Sequence, residues 1–108
     1  MNDNAIIINV AAEFTTTPGG RFKNDGEFSG EEFREKFLVP KYNSLTDGQK
    51  LIVNLDGGDG YAISFLEEAF GGLVRQLGKS VIGRIEIISN EEPDLIDKIR
   101  DYMNGVSK

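Results

Sequence analysis

Apolar and polar positions along the chain alternate between a strand period and a helix period. Ile6, Ile7 and Ile8 form a β-branched run, so Ala5 to Ala12 reads as a buried strand. Pro18-Gly19-Gly20 supplies turn chemistry, Arg21-Phe22-Lys23 alternates as a short return strand, and Asn24-Asp25-Gly26 ends it. Ser29 then opens a helix. Glu32 stands three residues on as a capping box, and Phe28 and Phe33 occupy the staple positions. Phe33 and Phe37 share a helix face, and Pro40 is expected to stop that helix. Tyr42 to Gly48 reads as a loop. Leu51-Ile52-Val53-Asn54-Leu55 is short and mostly apolar, as a central strand covered on both faces would be.

The loop Asp56-Gly57-Gly58-Asp59-Gly60 leads into a second helix from about Ser64 to Leu77. Phe65, Leu66, Ala69, Phe70, Leu73, Val74 and Leu77 form its apolar stripe. Gly71 and Gly72 interrupt it at about 1 kcal/mol each relative to Ala. They mark either close packing of the helix on the sheet or a groove where a partner backbone approaches. Val81 to Ile88 is the last strand, with Arg84 and Glu86 alternating as on an edge. Asn90 to Pro93 introduces a final helix lined by Leu95, Ile96, Ile99, Tyr102 and Met103 and closed by Asn104-Gly105. The order β-β-α-β-α-β-α implies one α/β domain over residues 1–108, with a mostly parallel four-stranded sheet, three helices and right-handed crossovers.

Composition then narrows the chemistry. The chain has 108 residues, 12 Lys+Arg against 18 Asp+Glu, a formal charge of -6, no His and no Cys. Disulfides, thiolate metal sites, catalytic thiols, iron–sulfur clusters and Ser-His-Asp relays are thereby excluded. The acidic balance argues against nucleic acid and against an anionic membrane surface as partners. No apolar run approaches the ~20 residues that span a bilayer. Met1-Asn2-Asp3-Asn4 lacks the positive charge of a secretory signal, so a cytoplasmic location is expected.

Three constellations bear on function. Asp56 and Asp59 end a parallel strand, where open α/β sheets commonly bind ligands; turn formation explains both, with Mg²⁺ binding as the rival. Arg21 with the Ser29-Gly30 helix start offers a phosphate cradle. Glu31 and Glu32 oppose an anion there, and no Gly-Lys-Ser/Thr follows to make a Walker loop. Ser64 stands at the expected N-cap of the second helix, with Glu67 three residues on. Arg34 lies one position off the buried stripe, facing Glu31 on its own helix or Asp56 or Asp59 across the loop.

Ile52-Val53-Asn54-Leu55-Asp56, the glycine-rich turn and Tyr61-Ala62-Ile63-Ser64-Phe65-Leu66 together resemble the strand–loop–helix core of STAS domains. Gly20-Arg21, Gly26, Ser29-Gly30-Glu31-Glu32-Phe33-Arg34 and Ser64-Phe65-Leu66-Glu67-Glu68-Ala69-Phe70-Gly71-Gly72-Leu73 resemble a bacterial and phage family described only as STAS-like, of unknown function. The resemblance covers about Gly19 to Ile88. It implies a STAS-like fold and a non-enzymatic, cofactor-free regulatory module akin to anti-sigma-factor antagonists, whose partner is a kinase-like ATPase. The classical Asp-Ser-Ser-Gly motif departs here: its phosphorylated first serine falls on Ile63, its Asp on Ala62 and its Gly on Phe65. Only its second serine survives, as Ser64. The expected partner surface is Asp56, Asp59 and Ser64 with the exposed side of the second helix, Glu67, Glu68, Gly71, Gly72 and Arg75. A small phosphate- or nucleotide-binding domain using Arg21, Ser29 and Gly30, with Ser64, is the alternative.

Overall fold

Three parallel strands in the order β1-β2-β3 carry the architecture: β1 (Ala5–Asn9), β2 (Lys50–Asn54) and β3 (Ile85–Ile88). The computed structural model describes residues 5–105; Met1 to Asn4, read above for targeting, lie outside that range. Ile6 pairs with Leu51 and Leu51 with Ile85; two residues on, Ile8 pairs with Val53 and Val53 with Ile87. Because side chains alternate across a strand, this register puts all six on one face. That face is covered by helices, and one contiguous core results, with Ile8, Leu51, Val53, Phe33, Phe65 and Phe70 among its members.

The expected fourth strand, Arg21 to Lys23, is not a strand. Gly20 and Arg21 give their carbonyl oxygens to the backbone N–H groups of Gly30 (2.9 Å) and Glu31 (3.0 Å), which removes them from any ladder. The chain then closes a 3₁₀ turn at Lys23–Asp25, where Asp25 accepts the Phe22 N–H at 2.9 Å. The first strand is also shorter than read. Val10–Glu13 forms a single helical turn, α1, and the Glu13 carboxylate accepts the Asn9 N–H at 2.8 Å. Likewise Lys79–Arg84 is 3₁₀ and only Ile85–Ile88 pairs.

Helix α2 runs over residues 30–43 and begins as read. Ser29 is fully buried, and its Oγ accepts the Glu32 N–H at 3.0 Å. The Glu32 carboxylate turns to Lys36 instead of closing the box. Phe28 adopts φ 58°, and its ring meets Phe14 edge-on at 5.3 Å; Phe14 in turn contacts Phe33 and Phe37. The stapling contact is therefore relayed through Phe14.

Pro40 does not stop α2. Arg34–Leu38 is a wide π-type turn, in which the Val39 N–H reaches back to the Arg34 carbonyl, and Val39–Asn43 continues as α-helix. Proline is excluded from helix interiors because its ring collides with the carbonyl four residues back and it lacks an N–H. A wide turn directly before it shifts that carbonyl and accommodates the ring.

Helix α3 spans residues 63–77 and has a second π-type turn at Glu67–Gly71. Helix α4 is Asp94–Asn104; it buries Leu95, Ile99 and Met103 and contacts α3 at its wide turn. Helices cover only one face of β2. Ile52 and Asn54 point to the opposite side, so the expectation of a strand covered on both faces is corrected. No helix among the described residues is long and apolar enough to cross a membrane.

Candidate functional site

The loop after β2 lies at the carboxyl end of the central parallel strand, where open α/β sheets place their sites. Its conformation is held from three directions. Leu55 N–H donates to the Ile88 carbonyl at 2.8 Å, and Asp59 N–H to the Thr16 carbonyl at 2.7 Å. The Asp56 carboxylate accepts the Glu91 N–H at 2.9 Å and the Asn90 side chain at 3.1 Å, while Glu91 accepts the Gly57 N–H at 2.9 Å. Gly57 (φ 95°) and Gly60 (φ 146°) supply backbone angles that other residues resist. Tyr61 donates its hydroxyl to the Leu55 carbonyl at 2.9 Å. Burial, reinforced by the Asp56 and Glu91 charges, pushes the Tyr61 phenol up to about 12, so it stays a donor.

Asp56 and Asp59 thus share a loop but not a task. Asp56 ties the loop to the segment after β3, and Asp59 is exposed. Among the described residues no group of three acidic side chains is placed to hold a metal ion.

Ser64 is not the cap of α3. The cap position is Ala62, whose carbonyl accepts the Leu66 N–H at 3.1 Å, and Ser64 is the second helical residue. Its half-buried hydroxyl makes no hydrogen bond with any described residue. The capping box fails because Glu67 faces away from the helix start, toward two arginines. Ile63, at the head of α3, is 63% exposed, the largest exposure among the large hydrophobics described.

Beyond Ile63, α2 and α3 are locked by an arginine–glutamate lattice. Arg21 pairs with Glu67, and lies 3.5 Å from Glu68. Arg34 Nη1 donates to the Glu68 carboxylate at 2.6 Å and to the Glu68 carbonyl at 2.9 Å. Arg75 donates to Glu67 at 2.6 Å. Arg34 and Glu68 keep only 12% and 11% of their side-chain surface, so water screens this pair little. Hydrogen bonds from Arg75 above all, and from Arg21, hold the Glu67 carboxyl below the usual carboxylate range against the opposing effect of its burial.

The paired glycines belong to this lattice. A Cβ on Gly72 would overlap the Arg34 guanidinium, and one on Gly71 would lie 2.8 Å from the Glu67 carboxylate. They clear a path for side chains across the helix. Neither helix-on-sheet packing nor a groove for a partner backbone describes them. Glu68, Gly71 and Gly72 are buried, which corrects their expected place on an exposed helix face. Glu67 is half-buried, and Arg75 remains at the rim, 44% exposed.

The phosphate cradle expected from Arg21, Ser29 and Gly30 is closed. Arg21 is engaged with Glu67 and Glu68, Ser29 is fully buried with its hydroxyl oxygen accepting the Glu32 N–H, and the Gly30 and Glu31 N–H groups bond the carbonyls of Gly20 and Arg21. Gly30 is glycine for proximity: a Cβ there would overlap the Phe65 carbonyl on α3.

Arg34 was readable only as an off-stripe charge; its partner is neither Glu31 nor the loop aspartates but Glu68, with Gln76 at 3.2 Å. The signal that points to it is the adjacent pair Glu67-Glu68 inside an apolar stripe, which demands buried cations. Ile63 was readable as a departure from a serine motif, and its exposure as an apolar surface residue was not.

No curated protein and no solved structure matches the chain. A family model described as a STAS-like domain of unknown function (DUF4325) matches residues 29–95, which hold the Ser29 cap, both wide turns, four members of the lattice, β2, its loop and β3. With more than half of its length matched, and with a parallel α/β sheet under helices, this chain belongs to that STAS-like family.

Proposed function

We propose that this domain is a non-enzymatic regulatory module that acts by reversible protein–protein interaction at the loop after β2 and the head of α3. The observation that carries the reading is Ile63, an apolar side chain 63% exposed on a loop–helix junction whose backbone is tied on three sides. A rigid apolar anchor within a polar rim is the arrangement that concentrates binding energy at interfaces. Glu67 lies four residues on, hence on the same helix face, and Arg75 and Arg21 flank it. The contact surface is therefore Asp59, Ile63 and Ser64 with the rim of Glu67 and Arg75. Asp56, Glu68, Gly71 and Gly72 act beneath it by holding its shape. The resemblance to anti-sigma-factor antagonists makes a kinase-like ATPase the favoured partner, on fold-level analogy.

The test is capture from an extract of the native host on the immobilised chain, with ATP or ADP present and the captured proteins identified by mass spectrometry. The expected result is a kinase-like ATPase retained by the wild type and lost with Ile63→Asp, whose melting temperature stays within a degree or two because the site is exposed. An Ile63→Asp chain that retains the same ATPase refutes the anchor. Capture of no ATPase in either nucleotide refutes the assignment of partner.

A further inference from the structure

We propose that the open face of the sheet, opposite the helices, binds a second copy of this chain in a two-fold dimer. On that face the register aligns Ile7 with Ile52 and Ile52 with Glu86, while Lys50 pairs with Ala5 one pleat earlier and Ile88 pairs with Asn54 one pleat later. Ile7 is 53% exposed, and neither it nor Ile52 nor Ile88 joins the hydrophobic core. Lys50 and Glu86 are exposed, carry opposite charge, and have no ion-pair partner among the described residues. Apolar residues flanked by two unpaired opposite charges make a surface that can complement itself.

The placement of those charges selects the second copy as occupant. With strands about 4.8 Å apart and residues about 3.3 Å apart along each strand, Ile52 and Ile7 both lie within about 2 Å of the line equidistant from Lys50 and Glu86. A two-fold axis along that line stacks each isoleucine near its own counterpart. The same operation places Lys50 over the Glu86 of the other copy and Glu86 over its Lys50, as an isologous interface requires. The strands of the two sheets then cross steeply, in the orthogonal class of sheet packing. This surface is separate from the Ile63 site, so the two readings stand or fall independently.

Sedimentation equilibrium of the full chain across micromolar concentrations tests the proposal, with circular dichroism confirming the fold of each variant. The expected result is a monomer–dimer equilibrium that Ile52→Asp abolishes. Lys50→Glu alone and Glu86→Lys alone should each weaken it by about tenfold or more, since each juxtaposes like charges. Lys50→Glu combined with Glu86→Lys should restore it, because the swap re-pairs the charges across the axis. A wild type that is monomeric throughout overturns the proposal. So does a dimer indifferent to Lys50→Glu, as pairing through the edge of β1 would be, and so does a double swap that fails to restore association.

Discussion

Gly30→Ala adds one methyl group where α2 meets α3. The new carbon would overlap the Phe65 carbonyl oxygen and stand 3.2 Å from both the Phe65 carbonyl carbon and the Glu68 Cβ. Carbon atoms prefer separations of about 3.5–4.0 Å, so the two helices must part by at least several tenths of an ångström. Two of the three obstacles are backbone atoms, which cannot swing aside. Overpacking of this kind costs about 1–3 kcal/mol, and a backbone obstacle puts it at the upper end. The better helix propensity of Ala returns at most about 1 kcal/mol. A net loss of about 2 kcal/mol is expected from these two terms, or about 10 °C in melting temperature for a domain of this size. Urea denaturation measures it, with Gly83→Ala as the control, since a Cβ there meets nothing within 4 Å. A Gly30→Ala chain as stable as the wild type, with an unchanged urea slope, would refute the claim that this glycine sets the helix separation.

Three further outcomes follow from the same geometry. Gly72→Ala should cost about 1 kcal/mol by displacing Arg34 from Glu68, and in the Arg34→Ala background it should cost nothing more, which a double-mutant cycle by chemical denaturation reads directly. Because Glu67 is held below its ordinary 4.5 in the folded state, its contribution is present above that value and lost as pH falls through the depressed one; Glu67→Gln should flatten the fall in urea midpoint between about pH 5 and pH 2. Ser64→Ala should change stability by less than about 0.5 kcal/mol, since the hydroxyl caps nothing, and a loss of about 1 kcal/mol in denaturation would restore the capping role.

What the sequence made legible was what neighbouring residues decide. The β-branched run at Ile6 to Ile8, the apolar stripe of α3 and the Ser29 cap all rest on contacts within a few positions, and all three formed. The misreadings have other causes: distant segments overrule local preference, or a neighbouring turn or cap position takes a form that the pattern does not show. Arg21-Phe22-Lys23 alternates like a strand, yet the Gly20 and Arg21 carbonyls satisfy the start of α2. Pro40 ends helices in general, and here the five-residue wide turn Arg34–Leu38 admits it. Ser64 is a good cap residue two positions too late, because Ala62 already accepts the first helical N–H. The lattice was hidden for the first of these reasons: Arg21 and Glu67 stand 46 residues apart, and no periodicity links them. Of the candidate site, the loop position followed from strand order, whereas the burial of Glu68 and Gly72 depended on Arg34 and that of Gly71 on Glu67 and Arg75 lying across it.

The parallel sheet has a kinetic consequence. Among the described residues no two strands are joined by a hairpin; β1 meets β2 at Ala5 and Lys50, and β2 meets β3 at Leu51 and Ile85. Every ladder contact must therefore close a loop of dozens of residues before it returns any stabilisation. Helix turns have no such delay, and the chain is expected to reach its folding barrier with α2 and α3 partly docked and the sheet still open. Substitutions at Phe33 or Phe65 should then slow folding, while those at Ile87 should mainly speed unfolding. The central strand, though it sits at the geometric middle of the fold, would be among the last elements to find its place.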